Sequence, residues 1–168
     1  MIQPLAYIHP QAKIADNVVI EPFVTIYKDV VIGEGTWIGS NVTIMDGARI
    51  GKNCRIFPGA VISAPPQDLK YKGESTTLSI GDNTIIRECV TLNRGTALDK
   101  NTTQIGQNCL LMAYVHVAHD CIIGDHVIDA LNVMSFKHNF LSEILRKIVY
   151  SNFSRLPVRR INRIMRSL

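Results

Sequence analysis

No stretch of 18 apolar residues occurs in this 168-residue chain, so nothing in it reads as a membrane-spanning helix. Its opening, MIQPLAYIHPQ, lacks a basic segment followed by an apolar block. No secretory leader is therefore expected, and the expected location is the cytoplasm. Cysteine is scarce: Cys54, Cys89, Cys109 and Cys121 are the only four, and no two stand in a C-x-x-C pair. A zinc ribbon or a dithiol redox motif is thereby disfavoured, and reduced, buried thiols are expected. Positive charge is also lacking over most of the length. The net charge is +4, yet residues 1–128 carry 10 Lys+Arg against 12 Asp+Glu, and residues 129–168 carry 8 against 2. The basicity belongs to the C-terminal end, so the main body does not read as a nucleic-acid binder.

What the chain has in abundance is aliphatic residues at one spacing. Ile8, Ile14, Ile20, Ile26, Ile32, Ile38, Ile44, Ile50, Ile56 and Ile62 follow one another in steps of six. The register returns at Ile80, Ile86 and Leu92, and again at Ile105, Leu111, Val117 and Ile123. A helix repeats every 3.6 residues and a simple strand every two, so neither yields this period. The fifth residue of each hexad is small or β-branched (Ala12, Val18, Val24, Val30, Thr36, Val42, Ala48, Cys54, Ala60), and glycine recurs at the second (Gly33, Gly39, Gly51, Gly81, Gly106, Gly124). Each hexad thus reads as a short strand and a tight corner, with its first and fifth residues pointing inward. The glycines are expected to supply corner conformations that other residues resist. Three such sides close a triangle, and the repeats stack into a solenoid. Nearly six coils at ~4.8 Å each give a prism on the order of 27 Å long.

Two stretches break the register, SAPPQDLKYKGESTTLS at 63–79 and ALDKNTTQ at 97–104. Insertions in a solenoid become loops thrown out from one face, often the binding face. Between the second loop and the end of the repeats lies LMAYVHVAHDC, residues 111–121. Val117 opens a hexad and Cys121 is its fifth residue, so both point inward. His116, His119 and Asp120 then fall at outward positions along one coil edge. Three solvated surface residues are the plainest account of them. The alternative is base chemistry: imidazole accepts a proton near neutrality, and an adjacent carboxylate can orient it. A metal account also exists, because trimeric β-helix carbonic anhydrases bind zinc with histidines between subunits. His116 and His119 would then be two of the three protein ligands that catalytic zinc requires.

The hexads over residues 1–128 resemble those of the hexapeptide acyltransferases. That resemblance implies an all-β fold, a left-handed parallel β-helix. The left hand comes from the resemblance alone, since parallel crossovers in general are right-handed. QDLKYKGE in the first loop, IRECVTLNRGT after it, and HVAHDC narrow the resemblance to the UDP-N-acetylglucosamine O-acyltransferases of lipid A biosynthesis. The resemblance implies transfer of a 3-hydroxyacyl chain from acyl carrier protein to the 3-hydroxyl of the sugar nucleotide. It implies no metal and no cofactor, a homotrimer, and sites in the clefts between neighbouring prisms. By motif match His119 is the general base and Asp120 the residue that orients it. Asp68 and Lys70 match loop residues that contact the sugar nucleotide, and His116 matches a histidine of the same groove. Asn93 stands where many members have histidine and stays able to hydrogen-bond.

The resemblance thins after Ile128. Asp129 occupies a position that calls for an inward aliphatic residue. Lys137 falls where the family has a glycine whose amide helps hold the oxyanion, and His138 matches a second active-site histidine if the register holds. Residues 129–168 are expected to form a divergent last coil and a short helical tail. Val158, Ile161, Ile164, Met165 and Leu168 make a stripe there, with Arg159, Arg160, Arg163 and Arg166 between. A basic amphipathic helix reads as a weak membrane-surface contact, and packing over the open end of the prism is the plainer account. The readings carried forward are an acyltransferase, a catalytically impaired family member serving as a trimerisation scaffold, and a zinc-dependent β-helix protein.

Overall fold

The computed structural model describes residues 1–129, and eighteen short strands lie within them. They form three parallel sheets of six strands, and each strand pairs with the strand three places away in the chain. The first sheet holds Tyr7–Ile8, Thr25–Ile26, Thr43–Ile44, Val61–Ala64, Thr91–Asn93 and His116–Val117. The second holds Lys13–Ile14, Val31–Ile32, Ala48–Ile50, Thr77–Ile80, Thr102–Ile105 and Ile122–Ile123. The third holds Val19–Ile20, Trp37–Ile38, Arg55–Ile56, Ile85–Ile86, Leu110–Leu111 and Ile128–Asp129. The chain visits the sheets in strict rotation, which is the six-residue repeat written in space.

The periodicity explains this directly. A strand here is the sixth residue of one hexad and the first of the next, the sixth facing out and the first facing in. Ile20, Ile26, Ile38, Ile44, Ile56, Ile62, Ile86, Leu92, Leu111 and Val117 are wholly buried, and like residues stack on like down the axis. Each such side chain removed from water contributes about 1.5–3 kcal/mol. The fifth residues fill the corners from inside. Thr36 and Thr84 sit among them with hydroxyls that donate to the carbonyls of Gly51 and Gly106, at 3.0 and 2.9 Å. Coils are tied edge to edge by backbone hydrogen bonds, for example from Tyr7 N to Val24 O and from Thr25 N to Val42 O, both at 2.9 Å.

Two expectations about the repeat are corrected. The second-position glycines are not the residues with left-handed backbone; the fourth-position Gly35, Gly47 and Gly59 are. Positive φ falls at the fourth position of the hexad, at Phe23, Asn41, Asn53, Asn83, Cys89, Asn108, Tyr114 and Asp120 among others. Gly33, Gly51, Gly81 and Gly106 instead stand in a column beside the second sheet where successive coils come closest. A Cβ on Gly81 would lie 2.5 Å from Gln107 N and 2.6 Å from Gly106 C. What these glycines provide is room between coils. Secondly, Cys54, Cys109 and Cys121 are buried as expected, but Cys89 is exposed. It holds a fourth-position corner, with φ 57°, rather than an inward slot. Burial pushes the Cys54 and Cys109 thiols up from their ordinary value.

The first register break is shorter than its sequence limits, and the second is shifted toward the N-terminus at unchanged length. Thr77, Leu78 and Ser79 pair with Thr102, Thr103 and Gln104, so the ends of the two insertions extend the second sheet. The excursions proper are residues 65–76 and 94–101. Asp129 keeps its place in the ladder opposite Leu111. The divergent coil and helical tail expected beyond it, with Lys137 and His138, lie outside the described residues.

Candidate functional site

Both excursions leave the prism at the corner between the first and second sheets, on adjacent coils. Residues 118–121 turn the same corner on the coil after. The repeat therefore stacks three polar segments in one place, though they are 65–76, 94–101 and 118–121 in the chain. The loops also bind one another. The Asn93 amide donates to Pro65 O at 2.8 Å and pins the start of the first loop. Arg94 donates to Tyr71 Oη at 3.1 Å and to Asp46 O at 2.7 Å, which fastens that loop to the corner of the coil before. Ser63 donates to the same Asp46 carbonyl at 2.8 Å.

The third segment holds the base candidate. His119 Nδ1 lies 2.8 Å from Asp120 Oδ2, and the imidazole keeps 18% of its surface exposed. Asp120 does not face outward as its hexad position suggested; it has no exposed surface at all. The second loop folds over it. Thr96 donates its amide to Oδ1 at 2.9 Å and its hydroxyl to Oδ2 at 2.6 Å. The Asp120 amide donates to Thr103 Oγ1 at 2.8 Å, and Lys100 Nζ reaches the Asp120 carbonyl at 3.1 Å. Burial by itself pushes the Asp120 carboxyl up, but the Thr96 hydroxyl, the His119 ring and the Thr96 amide together outweigh it. The carboxyl is held below the usual carboxylate range. An ionised carboxylate only accepts, so His119 Nδ1 carries the proton and Nε2 is the accepting nitrogen.

The other sequence candidates fall around this pair. His116 sits on the first sheet opposite Thr91, with Nδ1 2.7 Å from the Thr91 hydroxyl. Asn93 is 2% exposed, and its Oδ1 has no partner among the described residues. Asp68 accepts from Lys70 N at 2.9 Å and shapes the tip of the first loop, next to a fully exposed Leu69. Among the described residues no hydrogen bond or ion pair joins Asp68 or Lys70 to either histidine. No group of three His, Cys, Asp or Glu able to hold a metal occurs within the described residues. Sequence reasoning missed Thr96, Thr103 and Arg94. Two of these stand in the quoted stretch IRECVTLNRGT, but only the folded corner shows what they touch.

Comparison with known proteins bears on the fold and the family. The family model described as bacterial transferase hexapeptide (six repeats) matches residues 29–64 and 102–128. The acyl-[acyl-carrier-protein]–UDP-N-acetylglucosamine O-acyltransferase of Thiobacillus denitrificans is 54% identical over 137 residues, 82% of this chain and 53% of the relative. That of Saccharophagus degradans is 50% identical over 127 residues, 76% of this chain and 49% of the relative. The crystal structure of the UDP-N-acetylglucosamine acyltransferase from Bacteroides fragilis superposes with a TM-score of 0.74 at 60% identity, covering 76% of this chain and 50% of that one. The enzyme structure from Acinetobacter baumannii gives a TM-score of 0.78 at 49% identity, covering 79% and 52%. The chain spans about half the length of the curated relatives it matches. No helix among the described residues is long and apolar enough to cross a membrane. In repeat, fold and likeness, a left-handed parallel β-helix with 49–60% identity to the relatives just named, the chain belongs to the UDP-N-acetylglucosamine O-acyltransferase family of hexapeptide transferases.

Proposed function

We propose that this chain carries the acyl-transfer site of a cytoplasmic enzyme that moves a 3-hydroxyacyl chain from acyl carrier protein to the 3-hydroxyl of UDP-N-acetylglucosamine, the first step of lipid A biosynthesis. The observation that carries this reading is the His119–Asp120 pair, at 2.8 Å, under the stacked loops of a chain whose relatives bear that name. His119 Nε2 accepts the proton of the sugar 3-hydroxyl as its oxygen attacks the thioester carbonyl. The tetrahedral intermediate collapses by expelling the carrier thiolate, which takes up the proton from the imidazolium. A positioned base of this kind is worth ~10²–10⁴ in rate. Asp120 stabilises the imidazolium between the two proton transfers. Lys70 offers an ammonium to the diphosphate, Asp68 contacts the sugar nucleotide, and His116 and Asn93 border the groove. No metal or cofactor enters this scheme. A homotrimer would seat each corner against a neighbouring prism, giving the partly exposed His119 and the fully exposed Leu69 something to face.

Purified protein is incubated with UDP-N-acetylglucosamine and 3-hydroxyacyl carrier protein, and the product is read by mass, with His119→Ala alongside. Product from the parent chain and a loss of at least ~10² in the variant are expected. Equal rates from the two would overturn the assignment of the base. A folded but inactive parent would favour a second reading, a catalytically impaired family member that serves as a trimerisation scaffold.

A further inference from the structure

The second loop reaches the Asp120 carboxylate through Thr96, and the details of that contact go beyond packing. Both oxygens of a wholly buried carboxylate are served by this one residue, Oδ1 by its amide at 2.9 Å and Oδ2 by its hydroxyl at 2.6 Å. Thr96 is itself buried, and its own carbonyl accepts from Asn101 N at 2.9 Å, so the loop closes on it. Gly95 permits this approach, since a Cβ there would lie 2.2 Å from Thr102 N. Thr103 fixes the Asp120 backbone from the other side. The His119 ring and the Lys100 ammonium also bond to Asp120, the latter on its carbonyl.

We propose that Thr96 is a positioning residue for the transferase: its hydroxyl and amide lock the Asp120 carboxylate, which holds His119 as the Nδ1–H tautomer with Nε2 left to accept the substrate proton. The proposal rests on the reading of His119 as the base, and it makes the 94–101 loop part of the catalytic apparatus. Oδ2 accepts from two donors at once. With the Thr96 hydroxyl gone, His119 alone serves that oxygen, the carboxylate is free to turn about its remaining amide bond, and the imidazole is no longer held to one tautomer.

The test compares Thr96→Val, which keeps the shape and the amide, with Thr96→Ser, which restores the hydroxyl, and with Thr96→Ala should valine prevent folding. Thermal unfolding confirms that each variant is folded. In the valine variant kcat is expected to fall about tenfold to a hundredfold with KM near the parent value, and serine is expected to recover most of it. Two readouts do not need turnover. Ring-nitrogen NMR of His119, assigned by its loss in His119→Gln, should show the Nδ1–H tautomer in the parent chain and a mixture in the valine variant. Carbon NMR of the Asp120 carboxyl should show its titration moved upward by valine and not by serine. A valine variant with parent-like tautomer and carboxyl titration would overturn the proposal. An inactive parent with the expected NMR changes would keep the Thr96–Asp120–His119 relay and overturn only the transferase reading.

Discussion

At the scale of single residues, the site is governed by one buried charge. Asp120 lies at a hexad position that faces solvent elsewhere in the repeat, and it is covered because an inserted loop, not the core, closes over it. Its position was legible from HVAHDC, but its burial was not, since nothing in the local sequence says that residue 96 will lie against residue 120. The depressed carboxyl has a consequence for stability. A group whose folded pKa lies below its unfolded value contributes stability that is present above the unfolded value, ~3.9, and lost as pH falls through the folded one. Asp120→Asn should therefore cost about 1.5–3 kcal/mol at pH 7. The difference between parent and variant should shrink as pH falls from about 4 through the depressed folded value, below which both states of the parent are protonated. Urea denaturation of both proteins at neutral and acidic pH measures that difference, and subtraction removes the contribution of the other carboxylates.

At the scale of the element, the unit is a two-residue strand and its corner. Isoleucine spacing made the strands and their inward faces legible, because burial of the first and fifth residues is what imposes the period. The role of glycine was misread for a physical reason: position in the hexad does not reveal whether a residue lacks a side chain to bend the backbone or to admit a neighbour. In this chain Asn41, Asn53, Asn83 and Asn108, with Gly35, Gly47 and Gly59 at the same fourth position, do the bending, and Gly33, Gly51, Gly81 and Gly106 at the second do the admitting. Gly81→Ala separates the two roles. Its backbone is not left-handed, so alanine would gain about 0.4–1 kcal/mol from the unfolded chain if space allowed. The methyl would meet backbone atoms of the next coil at 2.5 and 2.6 Å, and overpacking of that kind costs about 1–3 kcal/mol. The steric term is the larger, so the expected outcome is a net loss of about 1–2 kcal/mol, read from the urea midpoint.

At the scale of the whole described unit, the core is a single column in which each layer touches only the layers above and below. Stability should then depend on height along the axis. Ile56 is fully buried in mid-column, whereas Ile14 on the first coil is only partly covered. Ile56→Ala is expected to cost ~2–5 kcal/mol and Ile14→Ala distinctly less, a contrast that equilibrium unfolding of the two variants checks. The column also has a bearing on how such a site can arise. Most partners are 18 residues apart, as Tyr7 and Thr25 are, but the two excursions stretch the interval to 30 between Val61 and Thr91 and to 25 between Thr91 and His116. Closing a longer segment between fixed ends costs only about 0.6 kcal/mol per doubling of its length. A solenoid of this kind can therefore lengthen a corner at almost no thermodynamic penalty, and two neighbouring corners lengthened together can acquire a chemistry that the bare repeat has no means to express.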